Sequence, residues 1–265
     1  MKHFIRNLFK PSRKARFINI IPGVELAHPI VPSAEIKPSW LKQAAAAWKS
    51  EMRMASPQAP HAGGSVIRCP GLIDFFKRGY VIPSPFDFTI TTFKDNDNGF
   101  AWDCSLGNQI GGGAMQEPPI SGHPEQQLAA FMPWRSDTLK SVIKVQTFWR
   151  YKATDDIVFL LMPYPYADHT HFTSVHGIFD PQQTSSINIQ LLWHHTGENT
   201  TLVRAGTPLA QMIPMPREFA IDLIVDIPNE QDFREARAAK YLLSKEYNKN
   251  MKMWKEATGK LFKWK

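Results

Sequence analysis

Cysteine is nearly missing: Cys69 and Cys104 are the only two in 265 residues. Neither sits in a CxxC or Cys-His spacing, which excludes a zinc module and a disulfide-dense secreted scaffold. Two buried free thiols in a reducing compartment are expected, with a Cys69–Cys104 bridge as the alternative. Long apolar runs are missing too. The greasiest stretch, Ile157 to Met162, has 6 residues, whereas a membrane-crossing helix needs about 20. No apolar leader opens the sequence, so neither secretion nor membrane insertion is expected. Internal repeats are absent. Glycine is scarcer than proline, 15 against 21, and aromatics make up 12%. That balance favours short strands joined by rigid turns over a helical bundle.

Acidic residues are absent from positions 1 to 16, where Lys2, Arg6, Lys10, Arg13, Lys14 and Arg16 give a local +6. The stretch from Asn229 to Lys265 carries 10 basic and 5 acidic residues, a local +5. With a total of +7, the middle of the chain is left at −4. Two basic ends around a mildly acidic body can dock on phosphate, including nucleic acid, or on an acidic protein surface; solvated tails are the other reading. Trp254, Phe262 and Trp264 lie among the lysines of the C-terminal stretch, a pattern suited to protein contact or base stacking.

Three regions follow from the pattern: a basic arm with one helix over 1–60, a β domain over 61–228, and a basic helix with a tail over 229–265. Ser39 is placed to cap a helix from Trp40 to Met54, with Trp40, Leu41, Ala44, Trp48 and Met52 on one face. Ala55 to Ser65 reads as a linker. A helical turn over Leu72 to Arg78 stops at Gly79. Strands are expected at Tyr80–Ile82, Phe86–Phe93, Phe100–Cys104, Ser141–Tyr151, Ile157–Met162, Phe172–Phe179, Ser186–His194, Thr200–Arg204, Ala210–Met215 and Phe219–Ile227. Asp95 to Gly99 is a hairpin turn. Asn229 is placed to cap the C-terminal helix, with Asp232 and Glu235 near its positive end. Strands at this spacing mean a sandwich or barrel.

Most chemistry-bearing patterns read as structure. Gly111-Gly112-Gly113 is followed by neither a Lys-Ser/Thr pair nor a helix, so it reads as a loop, not a phosphate cradle. Asp155-Asp156 reads as a turn, and nothing local activates Cys69 or Cys104 as a nucleophile. His169, His171 and His176, with Asp168 and Asp180, are the densest ligand-capable group. In one continuous strand His169 and His171 face one way and His176 the other, so a polar loop is expected and no metal or other cofactor. His194 and His195 read as strand-end surface residues.

Gly177 to Met215, GIFDPQQTSSINIQLLWHHTGENTTLVRAGTPLAQMIPM, resembles the central hairpin of dUTPases and dCTP deaminases. Gly177 and Asp180 match that family's Gly-x-x-Asp turn, and Gly206, Leu209, Ala210 and Gln211 match its Gly-x-x-Ile-Ala-Gln strand opening. The resemblance implies a mainly β fold, a distorted barrel of the β-clip type, assembled as a homotrimer. It places a water- or sugar-binding carboxylate at Asp180 and phosphate contacts at Arg135 and Ser136, with Gln211 nearby. Gln183 and Ser185 stand where the enzymes carry Tyr and Gly, and a lysine-rich helix replaces the closing Gly-rich arm. The enzyme reading is thereby weakened.

A wider stretch, residues 60 to 220, resembles a group of uncharacterised proteins of tailed bacteriophages of the T4-like marine type. Cys69, Pro70 and Gly71 match its Cys-Pro-Gly entry, and Gly79, Ile82, Pro83 and Asp87 match its Gly-x-x-Ile-Pro…Asp pattern. This resemblance implies a non-enzymatic binding protein of the virion or host cytoplasm, a capsid or tail accessory attached through its basic ends. A nucleotide-binding or dUTPase-like hydrolase is the alternative.

Overall fold

The computed structural model describes residues 13–54, 69–94, 100–106, 118–124, 135–194, 197–218 and 227–242. The expected linker, the Asp95–Gly99 turn, the triple glycine, His195, the Phe219–Ile227 strand and the aromatic tail lie wholly or mostly outside these residues.

The first compact unit, Met1–Glu218, is mainly β. It opens with β1 (Ala15–Asn19), the one-turn helix α1 (Val24–Ala27), β2 (Val31–Pro32), a 3-10 turn (Ser33–Glu35) and helix α2 (Ser39–Met54). Helix α3 (Pro70–Phe76) leads into β3 (Tyr80–Pro83), β4 (Phe88–Lys94), β5 (Phe100–Leu106), β6 (Ile120–Pro124) and β7 (Ser141–Ala153). Then come β8 (Ile157–Met162), β9 (Phe172–Ser174), β10 (Gly177–Phe179), β11 (Ser186–Trp193), β12 (Asn199–Val203) and β13 (Pro208–Pro216).

These strands form three antiparallel sheets. The first runs β1-β7-β11-β9, with β6 also on β7; the second runs β10-β8-β13-β3-β2; the third runs β12-β4-β5. Strand β11 shows why. Ile187, Ile189, Leu191 and Trp193 are buried while the residues between them are half-buried, the period-2 signature of a strand covered on one face. Residues of all three sheets, including Ile90, Ile143, Phe159, Ile189 and Leu209, share one core. Among the described residues near the N-terminus, β1 pairs with β7 and β2 with β3. Cys69 is exposed and Cys104 half-buried, both as free thiols, so the expectation of two buried thiols fails at Cys69. Cys69 serves as the N-cap residue of α3 with Pro70 following, which starts that helix two residues earlier than expected.

Two expected strand arrangements are corrected. The Gly177–Met215 segment does not form a hairpin across its polar turn. Strand β11 already has β7 and β9 on its two edges, so β12 pairs with β4 instead, where Thr200 and Thr91 hydroxyls meet at 3.1 Å. The continuous strand Phe172–Phe179 is broken: β9 belongs to the first sheet and β10 to the second. Strands β4 and β5 pair antiparallel, with Lys94 opposite Phe100.

Strand β7 carries a bulge. Ser186 pairs with Arg150 and Asn188 with Gln146, leaving Thr147, Phe148 and Trp149 opposite Ile187. Phe148 adopts φ 61°, and all three residues are buried in succession. The extra residues turn Phe148 towards Phe86, 5.9 Å between ring centres, and the Thr147 hydroxyl donates to the Ile187 carbonyl at 2.5 Å.

Helix α2 is docked at its start. The Asp168 carboxylate accepts from the Ser39 amide (2.9 Å) and hydroxyl (2.8 Å), so a residue 129 positions away supplies the cap. Those bonds, the Ser39 amide foremost, hold the Asp168 carboxyl below the usual range. Trp40 donates from its indole to the Tyr166 carbonyl and packs on Phe76 and Tyr166.

In the second unit, Phe219–Lys265, helix α4 (Glu230–Leu242) starts as expected. Asn229 accepts from the Gln231 and Asp232 amides while Asp232 reaches back to the Asn229 amide, a reciprocal cap. No helix among the described residues is long and apolar enough to cross a membrane.

Candidate functional site

Asp180 closes its own turn. Its carbonyl accepts from the Gln183 and Thr184 amides, and its Oδ1 accepts from the Gln182 amide at 2.9 Å. Arg217, immediately after β13, then grips the carboxylate with both terminal nitrogens, Nη1 to Oδ2 at 2.5 Å and Nη2 to Oδ1 at 2.7 Å. The Arg217 Nε donates to the Asp155 carbonyl at 2.7 Å, which fixes the fork in place. This bonding, Arg217 foremost, lowers the Asp180 pKa to about 2. Tyr151 lies near enough for the Asp180 charge to add to the upward shift that burial imposes on its phenol.

The sign of the resulting pH dependence follows. A carboxyl depressed in the folded state stabilises fully above its ordinary value of about 3.9 and loses that contribution as pH falls towards about 2. Arg217→Gln is therefore expected to be less stable than wild type at pH 6, with the gap closing by pH 2. Urea denaturation of both proteins across that range measures it; a gap independent of pH contradicts the assignment.

The other residues expected beside Asp180 are elsewhere. Arg135 pairs with Asp137 through Nε (2.9 Å) and Nη2 (2.5 Å), and it lines a different depression from the one containing Arg217 and Gln182. Ser136 is an exposed turn residue beside it. Gln211 is fully buried, and its amide nitrogen donates to the Phe75 carbonyl at 3.2 Å and to the Arg78 carbonyl. It fastens the end of α3 to β13 and takes no place beside Asp180. Cys104 has its thiol pushed up to about 11 by burial and by Asp103, so it is not a thiolate at neutral pH.

Three imidazoles instead line one cleft of about 610 Å³, where the chain passes from the first sheet to the second. They are His169, His176 and His194; His171 turns away and stacks on Trp193. Strand parity misplaced them because His169 and His171 precede β9 and the strand breaks after Ser174, before His176. His169 lies against Phe172 with ring centres 4.0 Å apart, and burial pushes its pKa down. His194 is half-buried, contrary to the surface reading. Its Nδ1 meets the Thr138 hydroxyl at 3.0 Å and its Nε2 the Thr173 hydroxyl at 2.5 Å. No three His, Cys, Asp or Glu side chains gather as a metal site among the described residues. Asp168 is engaged by α2, and Asp180 by Arg217.

The site residues missed in the sequence are Arg217, His194 and Thr173. Each acts on a partner at least 21 positions away, a relation that no short motif records. Comparison with protein-family models finds no match, and comparison with curated proteins finds none either.

Proposed function

We propose that this chain acts by binding and not by catalysis, as an accessory of a tailed-phage particle. Its sheets form a distorted barrel of the dUTPase and dCTP-deaminase type, three copies assemble symmetrically, and the basic ends attach them to the particle. The Arg217 fork on Asp180 carries this reading. Three of the carboxylate's roughly four lone-pair positions are taken by Arg217 and the Gln182 amide. A carboxylate with a pKa of about 2 is a poor base for activating water at neutral pH. With Arg135 and Ser136 lining other ground, the groups needed for phosphate chemistry do not converge.

The two stretches behind the resemblances support one shared scaffold. Pro83 pairs with Pro208, and Ile82 with Ala210. Asp87 accepts from the Ala205 amide, and the Gly206 amide donates to the Ser84 carbonyl. Gly206 has φ 83°, as the tight turn requires. Both resemblances therefore rest on a joint between strands, a structural role with no reacting groups in it.

Mass spectrometry of gradient-purified phage particles is expected to find the chain in fixed stoichiometry, and light scattering of the purified protein to give three chains of 30.2 kDa each. Absence from particles overturns the accessory role, and a monomer overturns the trimer.

A further inference from the structure

We propose that the cleft beside β9 is a binding site for an uncharged saccharide ring. The inference is independent of the particle reading, because a chain absent from particles could still hold a sugar.

The lining chemistry selects the ligand. Thr170, Thr173, Ser174, His169, His176 and His194 all line the cleft, and each such side chain both donates and accepts hydrogen bonds. A sugar hydroxyl does the same, so a polyol matches this set; His194 is already held by Thr138 and Thr173, and the capacity left over is what an apolar body would strand. Two of these groups have unmet capacity: among the described residues, the Ser174 hydroxyl and the His169 Nδ1 are buried without a hydrogen-bond partner. Ser174 itself is 1% exposed.

The walls supply the second half of the match. Tyr164, Tyr166, Phe172 and Leu209 line the cleft as well. Tyr166 is 65% exposed and holds φ 50°, a left-handed conformation that a non-glycine residue adopts at some cost. Its ring is braced edge-on against Trp40 at 5.9 Å. An exposed, braced ring in a cleft that hydroxyls also line suits a ligand with one C–H face and one hydroxylated edge. The volume falls within the usual range for small-molecule clefts, about 300–1,000 Å³.

Charge argues for a neutral ligand. No carboxylate lines the cleft among the described residues. Arg135, the one fixed cation lining it among the described residues, is already matched by both oxygens of Asp137. Burial disfavours the charged form of His169.

Saturation-transfer NMR on the full chain tests this with methyl α-glucopyranoside, methyl β-galactopyranoside and N-acetylglucosamine, against glucuronate and cyclohexanol. At least one neutral sugar is expected to saturate in the millimolar range and to bind at least tenfold more tightly than glucuronate or cyclohexanol. Thr170 and His176 are exposed, so Thr170→Val and His176→Ala should fold normally and each weaken that binding at least threefold. The proposal is overturned if no neutral sugar saturates, if glucuronate or cyclohexanol binds as tightly, or if both variants bind like wild type.

Discussion

Gly79→Ala is expected to destabilise the protein by about 4 kcal/mol or more, among the largest effects a single methyl group can have. Gly79 holds φ 72° between α3 and β3, a conformation costing an L-residue about 1–2 kcal/mol. The larger cost is steric. A Cβ there would overlap the Met212 carbonyl oxygen and lie 2.9 Å from the Ile213 Cα. Both are backbone atoms of β13, so no side-chain rotation relieves the clash, and β3 would have to part from the strand it pairs with. Gly71→Ala is the control: that position is in α3 with open space around it, where alanine favours the helix by up to about 1 kcal/mol. Urea denaturation of the two variants should move in opposite directions. A Gly79→Ala loss under about 1 kcal/mol would show that the approach of the strands is looser than described.

Gln211→Ala comes next, with an expected loss of about 3 kcal/mol. The substitution removes the donor shared by the Phe75 and Arg78 carbonyls and opens a gap in a fully buried position. Gln211→Leu nearly keeps the volume and separates the two effects, with an expected loss of about 1–3 kcal/mol. Among the described residues the Gln211 Oε1 is buried without a partner, so leucine also removes an unsatisfied acceptor, which places it at the mild end of that range. A change within about 0.5 kcal/mol for alanine would mean that the end of α3 is held by other contacts.

What the sequence reveals depends on the range over which the physics acts. The alternation in Ser186–Trp193 marks a half-covered strand, and the structure has one there. Its partners depend on which edges remain vacant, which alternation does not encode, and the supposed hairpin dissolves for that reason. Gly79 and Gly206 are legible because a turn's demand for positive φ is local. The Asn229 and Asp232 cap is legible likewise. Asp180 is recognisable as a turn residue, whereas its guanidinium partner lies 37 positions away, beyond β11, β12 and β13. The histidines show the same limit. Parity along a strand holds only while the strand continues: His169 and His171 lie before β9 begins and His176 after it ends, so His169 and His176 line one cleft while His171 stacks on Trp193.

Nucleotide titration of the purified protein tests the central claim most directly. Thermal unfolding is followed with dUTP, dCTP and their monophosphates at about a hundredfold over a micromolar dissociation constant, and pyrophosphate release is measured in parallel. With the Asp180 carboxylate held by Arg217, no shift and no pyrophosphate are expected. A stabilisation of about 2.7 kcal/mol, or pyrophosphate release that Asp180→Asn abolishes, would contradict the account.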